Sequence, residues 1–145
     1  MTDALTDRAI RDRCSALRKL RIGECLLDLE RFNEAEDMLV SAAGKLDALR
    51  DEEGQARVLT VLADARLTAG DAATAFDELE RALAVMRRSG SRRYIADVLR
   101  QVGRAARDLG RRDTAKLYWT EAHELLTALN ARSEAHAVAE ALAVL

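Results

Sequence analysis

The feature that most constrains this chain is a self-similarity at a spacing of 40 residues. Its clearest copy runs from Tyr94 to Leu126 and reads as a helix, a Gly turn and a second helix. Sliding that stretch back by 40 and then 80 residues aligns Gly103 with Ala63 and Gly23, and Val102 with Leu62 and Ile22. In the second half of the unit, Ala115 aligns with Ala75 and Ala35, Trp119 with Leu79 and Leu39, and Ala122 with Ala82 and Ala42. Ala96, Ala56 and Ala16 complete six columns that keep their size class without a gap. A period of this length means stacked supersecondary units, because one helix pair cannot bury its apolar face alone. Small residues at 23, 63 and 103 let the second helix of each unit approach the first. Leu39, Leu79 and Trp119 are then expected to fill the space between neighbouring units.

At these residues the chain resembles the tetratricopeptide repeat family. The third copy carries Leu99, Val102-Gly103 and Ala106, then Ala115, Trp119 and Ala122. The second carries Leu59, Leu62-Ala63, Arg66, Ala75, Leu79 and Ala82, and the first Ile22-Gly23, Leu26, Ala35, Leu39 and Ala42. The family's usual period is about 34; the longer spacing here implies longer helices, and the family's closing Pro is absent because the chain has none. This longer form is similar to repeats in large multidomain bacterial regulators, where a sensor region follows ATPase or DNA-binding domains. The resemblance implies an all-α, right-handed solenoid of helical hairpins, three pairs plus a C-terminal helix. The units fall at 14–53, 54–93 and 94–133, with a partial fourth at 134–145 and an N-terminal extension at 1–13.

Composition agrees with close-packed helices. The chain is 49% hydrophobic but only 3% aromatic, so its core is Leu, Ala and Val, not the β-branched and aromatic mixture that strands favour. A chain of 145 residues is one domain's worth and buries roughly 70% of its unfolded surface. The net charge of −2 points to neither nucleic acid nor membrane. No apolar run reaches the roughly 18 residues of a spanning helix, and the start MTDALTDRAIRDR lacks the apolar stretch of a signal peptide. Cys14 and Cys25 read as buried small side chains in a helix, about 16 Å apart along its axis and beyond disulfide reach. A reduced, cytoplasmic setting is expected. Arg outnumbers Lys 20 to 3, as in GC-rich bacterial genomes.

The expected boundaries come from caps and stops. Residues 1–13 are either the tail of a preceding helix or an extension of the first. Arg31-Phe32 reads as a turn, with Asn33 and Glu36 as a capping box, and Asp51-Glu52-Glu53-Gly54 as a charged turn. Gly70 and Gly110 read as left-handed stops, followed by Asp71 and Asp113 at the next caps. Ser89-Gly90-Ser91 reads as a stop and a start, and Ser133 as the cap of the last helix. That helix, AHAVAEALAVL, is apolar on more than one face. Either another chain covers it or the sequence is part of a longer protein.

In the resembled family the first helices line a concave groove. Carried over position by position, the third unit's groove residues are Asp97, Arg100, Arg104, Arg107 and Asp108. The second unit's are Arg57, Thr60, Asp64, Leu67 and Thr68; the first unit's are Leu17, Leu20, Glu24, Leu27 and Asp28. Arg100, Arg104 and Arg107 share one helix face. Between Arg87 and Lys116 ten basic residues stand against three acidic; between Glu24 and Arg81 fifteen acidic stand against six basic. The arginine stripe is either a site for an acidic peptide, carboxylate or phosphate or a solvated face paired with nearby acids. Nucleic acid fits less well, because no aromatics interleave for base stacking. The family's peptide grip by Lys and Asn does not transfer, since Leu20 and Glu24 stand at those positions. Leu17, Leu20 and Leu27 either meet a hydrophobic ligand helix or contact residues 1–13 or a preceding unit.

No catalytic set, phosphate loop or zinc pattern is present, and His123 and His136 fall on different helices. No cofactor, metal or enzyme activity is expected. The expected function is a protein- or peptide-binding scaffold, the interaction or sensor portion of a bacterial transcriptional regulator. The alternatives are a homo-oligomerisation module built on the last helix, and a small-molecule or signal-peptide receptor controlling an attached DNA-binding domain.

Overall fold

The computed structural model describes residues 4–89 and 91–145. It contains seven helices: α1 (Ala4–Asp28), α2 (Phe32–Ala48), α3 (Glu52–Thr68), α4 (Ala72–Ser89), α5 (Arg92–Asp108), α6 (Arg112–Ala128) and α7 (Arg132–Ala143). No strand occurs among the described residues. Each odd helix packs antiparallel on the even helix after it, and each even helix packs on the next odd one. A lighter set of contacts joins α1 to α3 and α3 to α5, so the odd helices form a row of their own.

Five of the helices, α1, α2, α3, α5 and α6, end in the same way, which restarts the chain at a fixed spacing. Glu30, Arg50, Gly70, Gly110 and Asn130 all take positive φ, from 54° to 88°. The amide of the following residue then donates to the carbonyl five residues back: Arg31 to Leu26, Asp51 to Leu46, Asp71 to Arg66, Arg111 to Ala106 and Ala131 to Leu126. This is the Schellman closure, which satisfies the last carbonyls and turns the chain at once. Gly70 and Gly110 are the stops read from the sequence; the other three are carried by residues that adopt φ > 0 at a cost. Gly90 lies outside the described residues.

Several caps differ from the sequence reading. Phe32 begins α2, with Arg31 at the cap position and no side-chain cap bond; Asn33 and Glu36 lie inside the helix. Arg31 instead pairs with Glu34. Residues 52–54 are the first turn of α3, and Asp51 is its cap, accepting from the Gly54 amide at 2.9 Å. Asp71 caps α4 as expected, accepting from the Thr74 amide at 3.2 Å, and that hydrogen-bonding holds its carboxyl below the usual range. Position 131, not Ser133, precedes α7. Residues 4–13 extend α1, one of the two arrangements the sequence left open.

The repeated columns form the core. Ala35, Ala75, Ala115, Ala42, Ala82 and Ala122 are fully buried, as are Leu39 and Leu79. The small first-helix residues permit close approach: a Cβ on Gly23 would lie 2.8 Å from Leu39 Cγ. The column of Ile22, Leu62 and Val102 holds in two copies only. Leu62 joins Leu39, Ala42 and Leu46 of the preceding helix, whereas Ile22 is 39% exposed, because α1 has no helix on that side among the described residues. The same open face exposes Cys14 and Cys25, contrary to the expectation that both are buried. Trp119 is also placed differently. It packs inside its own hairpin, against Gly103, and its Nε1–H donates to the Arg100 carbonyl at 3.0 Å.

Candidate functional site

The row of odd helices carries a groove with two connected chambers. The larger, about 530 Å³, lies between α5 and α7. Asp97, Arg100, Gln101, Arg104 and Arg107 form its α5 wall, Ala137, Val138 and Ala141 its α7 wall, and Trp119 and Val98 its floor. The smaller, about 180 Å³, is bounded by Glu24, Leu27 and Asp28 of α1, Val61 and Asp64 of α3, and Gln101. Thr60 and Gln101 border both chambers, and the Gln101 side chain donates to the Thr60 carbonyl at 3.4 Å. The groove is therefore electrically polarised. Three arginines line one chamber and three carboxylates the other.

The helical spacing that buries Ile95, Ala96, Leu99, Val102 and Ala106 leaves residues 97, 100, 104 and 107 on the opposite flank of α5. Their partners decide what these groups can do. Arg93, one turn earlier, is held most firmly: its Nη2 donates to both oxygens of Glu134 on α7, at 2.6 and 2.7 Å. Arg100 reaches the same carboxylate with one bond of 3.2 Å. Arg104 faces Asp64 of α3 as an ion pair of 3.7 Å, beyond good hydrogen-bond length. Arg107 bonds its neighbour Asp108 at 3.2 Å and lies over the Trp119 ring, 5.6 Å from its centroid. Burial raises the Asp97 pKa; Arg93 and Arg100 oppose that rise and Glu134 adds to it.

The structure brings together Asp97, Arg100, Arg104 and Arg107 at the large chamber, and Asp64 and Leu27 at the small one. Asp108 stands at the end of α5, paired with Arg107. Arg57 is set apart, stacked 5.5 Å over the Tyr94 ring. Leu17 is half-buried beside the core and lines neither chamber. Leu20 is a correction: it is 1% exposed, packs with Ala16, Leu39 and Leu46 and lines neither chamber. Leu67 is likewise core. A fraction of a helical turn separates a groove position from a core position, and the family register misplaces both leucines.

Sequence reasoning missed Glu134, Arg93 and the whole α7 wall. The signal was available. One further 40-residue step carries Asp97, Val98 and Gln101 onto Ala137, Val138 and Ala141, so the fourth copy presents the same face as the third. His123 and His136 stay apart on α6 and α7, and His136 pairs with Glu140 at 3.1 Å. Among the described residues no group of three or more His, Cys, Asp or Glu side chains is placed to hold a metal ion. No helix among them is long and apolar enough to cross a membrane.

No protein family matches the chain by sequence, and no curated protein matches it. Among solved structures, it is similar to the N-terminal domain of stress-induced protein-1 (STI-1) from C. elegans, with a TM-score of 0.62. The match covers 94% of this chain and 98% of that one, at 15% sequence identity. Likeness at that identity carries the fold: an all-α, tetratricopeptide-like solenoid of helical hairpins.

Proposed function

We propose that this chain is a protein- or peptide-binding scaffold whose ligand lies along the groove of the odd helices. The observation that carries this reading is the large chamber itself. An apolar floor and wall (Trp119, Val98, Val138) face a row of arginines within one cavity of about 530 Å³, a size and mixture suited to an anchored side chain. The arginines attract an acidic segment, and Leu27 offers apolar contact in the second chamber. Glu24, Asp28 and Asp64 favour a basic residue at the other end of the same peptide. The role is binding: Arg100 and Arg104 are held across helices by Glu134 and Asp64 in pairs that a ligand can compete with. Within this reading the chain is the interaction or sensor portion of a bacterial transcriptional regulator, supported by the 40-residue period and the Arg-rich composition.

A peptide library on beads tests the groove. The wild-type chain is expected to retain peptides enriched in acidic and large apolar residues. Arg100→Glu combined with Arg104→Glu should abolish that enrichment, leaving the far-UV circular dichroism unchanged. Identical retention by the variant would remove the groove from the account.

A further inference from the structure

We infer that Arg100 and Arg104 form the carboxylate-binding pair of the groove, and that Glu134 and Asp64 are the internal carboxylates an acidic ligand displaces. This rests on the scaffold reading above and names both the ligand's chemistry and the residues that set its affinity.

Of the five arginines of α5, the four on its groove flank, Arg93, Arg100, Arg104 and Arg107, are not equivalent. A guanidinium has five N–H donors in a fixed fork. Arg93 makes two short bonds from Nη2 to one carboxylate, and Arg107 is bonded to Asp108 and stacked on Trp119. Arg100 uses one donor, in a bond of 3.2 Å. Arg104 makes no hydrogen bond among the described residues, only the 3.7 Å ion pair with Asp64. The two least-satisfied arginines are therefore adjacent on the helix face, one turn apart, and both line the large chamber. Side chains at i and i+4 are close enough to share one carboxylate, and charge-assisted bonds of full strength are available to it.

Their internal partners come from opposite sides. Glu134 reaches over from α7 and Asp64 from α3. Each is a carboxylate at the distance an incoming acid would occupy, and each is partly exposed. Pairs of this kind are weak, typically below 1 kcal/mol, so they shield the arginines without blocking them. A ligand carboxylate that takes both arginines at once releases Glu134 to Arg93 alone and leaves Asp64 to solvent. The consequence is selectivity: neutral apolar peptides gain only the floor, and an acid is needed to repay the lost internal pairs.

The test uses the full chain and a fluorescein-labelled peptide of alternating glutamate and leucine, with a glutamine-for-glutamate version as its neutral counterpart. Glu134→Gln and Asp64→Asn should each tighten binding of the acidic peptide about three- to fivefold, the range one exposed pair supports. Binding of the neutral peptide should not change. Asp97→Asn removes the same charge from the α5 wall of the chamber, where Asp97 pairs with Arg93 and not with Arg100 or Arg104, so it reports the general field and should have a smaller effect. Equal affinities for wild type, Glu134→Gln and Asp64→Asn would overturn the displacement idea and leave the scaffold reading standing. So would weaker binding, which would make the two acids struts of the groove wall. Gains as large in Asp97→Asn would reduce the effect to net charge and overturn it. Failure of the acidic peptide to bind any of the proteins would sink both this inference and the groove reading.

Discussion

The approach of α5 to α6 offers the sharpest test of how this sequence makes its fold. Gly103 lies under the Trp119 ring. A Cβ placed on it would come within 2.2 Å of Nε1 and 2.3 Å of Cδ1, separations that no real side chain tolerates. The ring borders the large chamber but is tethered where it lies. It is 4% exposed, its Nε1–H is bonded to the Arg100 carbonyl, and Arg107 lies over it. Forcing a methyl into a packed site costs about 1–3 kcal/mol, and losing the indole bond adds about 1 kcal/mol. Replacing a mid-helix glycine with alanine returns about 1 kcal/mol. The balance predicts that Gly103→Ala destabilises the chain by about 1–3 kcal/mol, a fall in melting temperature of a few degrees to about 10 °C at this size. Gly44→Ala is the control, because nothing lies within 4 Å of its Cβ position; helix propensity alone acts there, and the variant should gain about 0.5–1 kcal/mol.

The repeat supplies the rescue. In the second unit the same two columns hold Ala63 and Leu79, both fully buried. Gly103→Ala with Trp119→Leu recreates that pair in the third unit, so the double variant should recover much of the loss. Urea midpoints for the two single variants and the double complete a cycle, and the coupling should exceed about 1 kcal/mol, as it does for residues in direct contact. A Gly103→Ala protein as stable as the wild type would refute the close-approach argument. A double variant no better than the sum of the singles would refute the equivalence of the columns.

Two further outcomes concern turns and burial. Glu30 and Arg50 hold positive φ of 59° and 54° at exposed positions where Gly70 and Gly110 serve elsewhere; replacing either by Gly should stabilise by about 0.5–1 kcal/mol, and Gly110→Ala should cost about 1 kcal/mol, read from thermal melts. Unchanged melts would mean that the closure does not depend on the residue at this position. Glu78 is 4% exposed, pairs with Arg66, and leaves Oε2 without a hydrogen-bond partner among the described residues. Burial raises its pKa, with Arg66 opposing the shift. Its ionisation is therefore harder in the folded chain than in the unfolded one. Its contribution to stability is fullest below the ordinary carboxylate value of 4.5 and falls as pH rises through the raised one. Wild type should accordingly lose stability relative to Glu78→Gln between pH 4 and pH 7, measured by urea unfolding; a constant difference would contradict the burial argument.

What could be read from the sequence divides along a physical line. Steric demands recur in every unit, so they leave columns: Gly103 must be small because Trp119 is large, and Ala35, Ala75 and Ala115 must be small because two helices meet there. Five such columns, with a sixth that holds in two units, were enough to specify hairpins and their stacking. Turns were legible where glycine, or asparagine at Asn130, supplies the left-handed residue, and less so at Glu30 and Arg50, where the Schellman closure imposes that conformation on residues with no sequence signature for it. The groove sits at the other extreme. Arg100 and Arg104 could be placed on one face from their spacing alone, but their state depends on Glu134, Asp64 and Trp119, from three other helices. Partners across 34 and 40 positions in sequence leave no local pattern. The leucines at 20 and 67 failed for a related reason: a groove and a core differ by a fraction of a helical turn, and only the neighbouring helix decides which side a residue faces. The repeat therefore specifies where a binding surface lies more firmly than it specifies what that surface holds, because packing is repeated from unit to unit while the charges that select a ligand occur once.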